Sequence, residues 1–333
     1  MTTTIQDIFE MRKNGQFEQA YAAVLPMYRV HHGHYTTLCM FWTATDVMRL
    51  RIEAGKCREA EQIMASLRHL YPNLQDKDMS AARTLNRLAL LLATKEQEMV
   101  RMRRMGGNGE GEKLAWEVEP EKMQFSLLDY MKDFGNQYMA EDDWQASEWN
   151  GHVVPSMGTK IVSRIFHEVA EITSVERLED ALEMVQAGLQ HAPRNKHLLR
   201  YEANLIYRLG DKDSAIRKYR QLIERSRDSY LYSELAGMID DQQERAALLA
   251  KAIMNQRMEV FAQKDRLTLA ELLKELFPQN AAYELQQVVQ LRDSMGQHLN
   301  RTILGLQQEL ADVVPVTMAD QREFYQRIIK RCA

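Results

Sequence analysis

The stretch from residue 195 to residue 227 constrains the fold more than any other part of the chain. Its apolar spacing predicts one helix, a tight turn at Gly210-Asp211 and a second helix. Ala215 in the second helix lies 34 residues after Ala181, which stands in a similar predicted helix. A helical hairpin that recurs at a fixed interval cannot bury its apolar face alone, so it stacks on its neighbours. The sequence therefore predicts an all-α scaffold of stacked hairpins.

The same turn pattern occurs twice near the start of the chain, as G-Q-F-E-Q-A from Gly15 and G-K-C-R-E-A from Gly55. Glycine supplies the backbone conformation that ends a helix, and the alanine five positions later allows two helices to cross closely. Residues 175–192, followed by Pro193, form a weaker copy, and residues 230–253 form a copy with a shortened turn. We count two repeats before the middle of the chain and about three after it.

Composition agrees with a helical, soluble protein. Glycine (15) and proline (7) are too few among 333 residues for the many turns of an all-β chain. The net charge of −4 gives no overall basic field for nucleic acid. Charged residues in the first 20 positions exclude a signal-peptide core, and the longest uncharged apolar run, residues 35–45, is too short to cross a bilayer. We expect a cytoplasmic protein with no membrane contact.

Three parts of the chain do not follow the repeat. Residues 79–104 predict one helix that runs into a glycine-acidic loop. The middle is rich in large aromatic residues, with Trp144 and Trp149 as packing anchors, and the turn at Asn150-Gly151 predicts either a small hairpin or an extended crossing. Residues 281–313 predict a single long helix, which Pro315 ends before a helix capped by Thr317.

This organisation divides the chain into five parts. They are N-terminal helical repeats (1–104), a flexible loop (105–119), a non-repeat aromatic-rich insert (120–173), a second set of repeats (174–279) and a helical tail (280–333).

The turns at Gly15, Gly55 and Gly210, with the 34-residue step, resemble those of tetratricopeptide repeats. The resemblance covers about half of the chain, and it implies an α-solenoid whose helical hairpins bind peptides or partner proteins in a groove. Residues 143–156 and the helix after them are similar to a segment of bacterial repeat proteins that carry a cold-shock-like or S1-like barrel, although the chain itself shows no barrel.

Arg200, Asn204 and Arg208 are the candidate partner-binding residues. They recur at intervals of four, which places them on one face of the helix after Asn195. The resemblance implies that this face lines the groove, where a basic residue and an asparagine can hold a peptide carboxylate. The alternative is a solvated helix face, and the next repeat offers Ser233 and Glu234 where a clamp needs asparagine.

A second hypothesis makes the chain a nucleic-acid accessory protein. Arg101, Arg103 and Arg104 stand beside the predicted loop, where three cations could contact phosphates. They could equally stabilise the C-terminal end of their own helix through its dipole.

Clusters that could support enzymatic chemistry lack the required spacing. The histidines at 31, 32 and 34 with Cys39 do not form a standard zinc pattern, and the sequence around His167 lacks the second histidine of a zinc-protease motif. The acids around Trp144 have no nucleophile or metal ligand placed beside them. We therefore predict a non-enzymatic scaffold for a protein or peptide partner, without cofactor, metal or catalytic residue, and with a possible homodimer contact through the long tail helix.

Overall fold

The protein is all-α, as predicted from the sequence. A computed structural model describes residues 3–74, 79–106 and 125–332, with only the backbone described for 101–106. This part of the chain contains sixteen α-helices and one two-stranded sheet. The predicted glycine-rich loop after Gly106 lies outside the described residues.

Contacts divide the chain into two compact units, Met1–Pro193 and Arg194–Ala333. The five-part division made from the sequence stays a prediction. Each unit is built from helices that pack mainly on their neighbours in the chain.

The first unit begins with helices that alternate in direction through short turns. Its helices are α1 (Ile5–Lys13), α2 (Phe17–Val30), α3 (His34–Glu53), α4 (Cys57–Leu70), α5 (Met79–Gly106), α6 (Leu127–Tyr130), α7 (Met157–Glu168) and α8 (Val175–His191). The Thr4 side chain accepts a hydrogen bond from the Asp7 amide, and this capping box starts α1 where the sequence predicts it. The long helix α5 packs against α3, α4 and α7.

The glycines of the predicted turns adopt the left-handed conformation that their role requires. The φ angle is +75° at Gly15, +73° at Gly55 and +100° at Gly210. In each turn the residue after the glycine donates its amide to a carbonyl in the last turn of the preceding helix, which ends that helix. The alanines that follow, Ala20 and Ala60, are fully buried where the helices cross.

The middle of the chain contains a small hairpin, one of the two arrangements predicted for the Asn150-Gly151 turn. Strands β1 (Ser147–Trp149) and β2 (His152–Val154) pair antiparallel, with Trp149 opposite His152. Asn150 and Gly151 both have positive φ angles, of 50° and 75°, as a two-residue hairpin turn requires. The prediction that Trp149 is a packing anchor is wrong, because the hairpin projects from the helices and leaves this side chain 72% exposed. Trp144 is buried, as predicted.

The second unit consists of three helical hairpins and two further helices. The hairpins pair α9 (Lys196–Arg208) with α10 (Lys212–Arg225), α11 (Ser229–Ala236) with α12 (Gln242–Asn255), and α13 (Gln263–Leu273) with α14 (Pro278–Ser294). The chain then forms α15 (Arg301–Glu309) and α16 (Met318–Arg331), and α16 packs on α12. One continuous apolar core runs from Ala203 in α9 to Tyr325 in α16.

The prediction of one long tail helix over residues 281–313 is wrong. The helix ends at Ser294, where Gly296 takes a φ of +63° and Gln297 donates its amide to the Arg292 carbonyl. Asn300 then caps a new helix by accepting from the Ile303 amide. Apolar residues at helical spacing continue across this break, which is why the periodicity alone predicts no interruption. The homodimer contact stays a prediction, now without the continuous helix that suggested it.

Candidate partner-binding face

Arg200, Asn204 and Arg208 lie along α9, and all three are half-buried. Asn195 starts this helix by accepting hydrogen bonds from the amides of His197 and Leu198. The buried side of α9 carries apolar residues at helical spacing, so the polar stripe lies at the edge of that contact.

Arg200 forms a two-pronged ion pair with Glu234 of α11. The Nε atom of Arg200 lies 2.8 Å from Oε2 of Glu234, and its Nη2 atom donates to Oε1. The guanidinium also lies over the Tyr230 ring, 4.9 Å from its centre. An arginine held in this way by a carboxylate and a ring has one preferred orientation.

Tyr219 of α10 extends this contact into the core. Its hydroxyl donates to Oε2 of Glu234 over 2.8 Å, and the Tyr219 side chain is fully buried. Burial raises the pKa of Tyr219, so it remains a neutral donor, and Asn204 also hydrogen-bonds to it. Arg200 and Asn204 therefore belong to one network with Glu234 and Tyr219.

Two further links join the first helices of successive hairpins. Lys196 of α9 lies 2.6 Å from Asp228, the residue before α11. Ser233 of α11 donates to Asp265 of α13 over 2.5 Å. We call these two links and the Arg200–Glu234 pair the polar ladder; their sequence separations are 32, 32 and 34 residues.

The polar ladder contains partners that the sequence analysis did not assign to the site: Asp228, Glu234 and Asp265. The sequence contains a signal for these three residues, because each lies 32 or 34 positions, about one repeat, after the residue that it binds. A clamp for the carboxylate of a partner peptide would need asparagine at position 234. Glu234 stands there, and its own carboxylate binds Arg200.

An exposed apolar loop lies next to the polar ladder. Residues 254–261, from the last two residues of α12 to the turn before α13, expose Met254, Met258 and Phe261 by 49%, 57% and 65%. Gln256 in this loop donates to the hydroxyl of Ser229 over 2.9 Å, which holds the loop beside the first residue of α11. We refer to residues 254–261 as the apolar loop.

The other predicted clusters fall into separate roles. Among the described residues no group of His, Cys, Asp and Glu is arranged to hold a metal ion, and Cys39 is fully buried in α3. The Glu168 carboxylate accepts from the Ser126 hydroxyl and the Leu127 amide at the start of α6. Asp143 pairs with Arg83 of α5.

The side chains of Arg101, Arg103 and Arg104 lie outside the described residues, so the nucleic-acid hypothesis keeps its sequence basis alone. No helix in the described ranges is long and apolar enough to cross a bilayer.

Comparison with known proteins finds a family model that matches within the second unit. Residues 196–332 match a family model described as a domain of unknown function, DUF7017, and this range covers the helices α9–α16. No curated protein matches the chain.

Proposed function

We propose that the chain is a non-enzymatic scaffold that binds a segment of a partner protein along α9, α11 and α13 of the second unit. The observation that carries this proposal is the apolar loop, which exposes Met254, Met258 and Phe261 within eight residues. Single exposed apolar residues are common on protein surfaces, whereas a cluster is typical of an interaction site. Methionine and aromatic side chains are also enriched in the cores of protein interfaces.

The polar ladder supports the same surface. Its three links hold α9, α11 and α13 in a fixed register, and a surface that is already ordered loses little conformational entropy when a partner binds. A partner's carboxylate would need the guanidinium of Arg200, but Glu234 already binds it. In this proposal Arg200 and Asn204 therefore shape the surface and do not hold such a carboxylate. Arg208 lies at the other end of α9 from the apolar loop's contact at Ser229.

Charge indicates the chemistry of the partner. Arg257 in the apolar loop and Lys264 at the start of α13 are both exposed. Residues 194–333 contain 22 Lys and Arg against 19 Asp and Glu, a net charge of +3, although the whole chain carries −4. A partner segment with apolar anchors flanked by acidic residues complements this surface.

Site-specific photo-cross-linking in cells that naturally express the chain tests the proposal. A photoreactive phenylalanine analogue replaces Phe261 in one variant and Met258 in a second. A third variant carries it at Glu224, an exposed position on α10, as the matched control. We expect one discrete protein adduct at positions 258 and 261 that is absent at position 224 and survives nuclease treatment.

The purified partner is then titrated against the full chain and its Phe261→Ala variant. A loss of affinity of about tenfold or more is expected for an anchor residue of an interface. Equal adducts at all three positions would reject this surface. Adducts that disappear with nuclease would favour the nucleic-acid hypothesis based on Arg101, Arg103 and Arg104.

A further inference from the structure

The first unit contains a cavity of about 540 Å³ that no step of the proposed function uses. It lies between the C-terminal end of α4 and the turns that follow α6, and its lining includes Arg68, His69, Tyr71, Phe134, Gln137 and Tyr138. Its volume lies in the range of sites that bind small organic groups or a few residues of a peptide.

Three aromatic rings form one wall of this cavity. Tyr71 contacts Phe134 and Tyr138 with ring centres 5.4 Å and 5.0 Å apart, and the Phe134 and Tyr138 rings are 4.9 Å apart. Tyr71 and Phe134 are buried, so packing fixes their positions before any ligand arrives. A wall of this kind accepts an apolar or aromatic group without rearrangement.

Arg68 supplies a cation that neighbouring aromatic rings orient and that no carboxylate of the described residues holds by a hydrogen bond. Its guanidinium lies over the rings of Phe134 and Tyr130, 5.8 Å from each centre. Stacking on rings leaves the N–H groups at the edge of the guanidinium available for an anion. Within the described part of the chain its nearest carboxylate is Asp133, at 3.7 Å, which is beyond hydrogen-bonding distance.

The charge around Arg68 favours a monoanion over a phosphate. Asp133 is 64% exposed, and its carboxylate lies 3.7 Å from Nη2 of Arg68, so it opposes the binding of a second negative charge beside that guanidinium. Asp133 would repel a doubly charged phosphate, and Arg68 alone would have to compensate for both of its negative charges. A carboxylate carries one negative charge and matches the paired N–H groups of a single guanidinium.

We infer that this cavity binds the C-terminal residue of a peptide, with its carboxylate on Arg68 and an aromatic or bulky apolar side chain against Tyr71, Phe134 and Tyr138. Gln137, at the rim, already donates to the Phe134 carbonyl and so is held facing the same wall. The site belongs to the first unit, and its failure would leave the proposed function of the second unit untouched.

Ligand-observed NMR titration of the full chain tests the inference. The probes are N-acetylphenylalanine, its neutral C-terminal amide and adenosine monophosphate. We expect the acid to bind about tenfold more tightly than the amide, because a charge-assisted hydrogen-bonded pair is lost in the amide. Adenosine monophosphate should bind more weakly than the acid.

Three variants separate a binding role from a structural role. Arg68→Gln should reduce binding of the acid to the level of the amide. Arg58→Gln removes an exposed arginine from the same helix and should change nothing. Asp133→Asn should strengthen binding of the acid by a few fold, because it removes the neighbouring negative charge.

The comparison of acid and amide on the unaltered chain remains decisive even if Arg68→Gln unfolds. Equal binding of acid and amide would overturn the inference, and so would weaker binding of the acid to Asp133→Asn. Tighter binding of adenosine monophosphate than of the acid would assign the cavity to a nucleotide instead.

Discussion

Arg266 and Glu284 form an ion pair inside the second unit, with 2.7 Å between Nη1 of Arg266 and Oε2 of Glu284. The Glu284 side chain is fully buried, and Gln321 and Tyr325 of α16 donate to its other oxygen. The pair therefore joins α13, α14 and α16. Moving two charges from water into the protein interior is unfavourable in free energy. This cost is offset only when every ion-pair and hydrogen-bond partner is in place.

Loss of one member of this pair should destabilise the second unit strongly. Arg266→Met leaves Glu284 buried without its cation, and we expect the free energy of unfolding to fall by about 3 kcal/mol. The double variant Arg266→Met/Glu284→Leu removes both charges and should recover part of that loss. Urea unfolding followed by circular dichroism measures both.

The matched control for this prediction is the exposed pair Lys274–Glu309, with side-chain exposures of 31% and 53%. Lys274→Met should lower the free energy of unfolding far less than Arg266→Met, since water already screens that pair. An Arg266→Met variant no less stable than the control would contradict the assigned role of the buried pair.

The Arg200–Glu234 link should contribute to stability as a coupled unit. A double-mutant cycle with Arg200→Gln and Glu234→Gln should give a coupling free energy of about 1 kcal/mol, because the pair is two-pronged and three-quarters or more buried at each side chain. The same cycle on Lys212 and Asp240, where Asp240 is 89% exposed, should give a value near zero. Equal values in the two cycles would mean that the polar ladder does not hold the helices in register.

Two glycines of the C-terminal region should respond to alanine with opposite signs. Gly296 has a φ of +63°, so Gly296→Ala should lower the free energy of unfolding by about 1 kcal/mol through backbone strain. Gly305 lies within α15 with open space at its Cβ position, so Gly305→Ala should raise it by about 0.5–1 kcal/mol. Thermal unfolding of both variants decides this, and a destabilised Gly305→Ala would show that the site tolerates no side chain.

Glu96 should make the stability of the first unit depend on pH. Burial, and the negative charge of Glu61, raise the pKa of Glu96 from 4.5 to about 7, although Arg164 opposes the shift. The folded chain then holds this proton more tightly than the unfolded chain. The stability that Glu96 contributes by holding this proton is fully present below about pH 4.5. It is lost as the pH rises through 7.

Glu96→Gln removes this effect, so above pH 7 the variant should be more stable than the unaltered chain, by about 2 kcal/mol. Near pH 4.5 the two should agree. Urea midpoints at pH 5 and pH 8 measure the difference. Glu98→Gln, at an exposed neighbouring position, is the control and should show no such pH dependence. A stability gain of Glu96→Gln that is larger at pH 5 than at pH 8 would have the wrong sign.

Helix ends were predictable because their signals are local. Thr4 and Thr317 each start a helix by bonding to an amide three residues ahead, and Gly15 and Gly55 end helices through their own backbone angles. The break at Gly296 carried a local signal of the same kind, but continuous apolar spacing across it pointed to a single helix.

The partners of the site residues were not predictable in the same way. The sequence placed Arg200 and Asn204 on one face of α9, but whether that face meets a partner protein or Glu234 depends on how α11 packs on its neighbour. Glu202 is a similar case: it is buried in α9, and the Lys218 amine that pairs with it at 2.8 Å comes from α10. The exposure of Trp149 likewise depends on where the hairpin lies relative to the helices.

The position of α16 has a consequence for synthesis of the chain. Gln321 and Tyr325 are made 37 and 41 residues after Glu284, so Glu284 has only Arg266 as its partner while the ribosome is still extending the chain. A polar group buried without its hydrogen bonds is unfavourable, so α13 and α14 should not close stably until α16 has emerged. Stable closure of the α13–α14 hairpin is thus timed by α16, which is made after both of its helices.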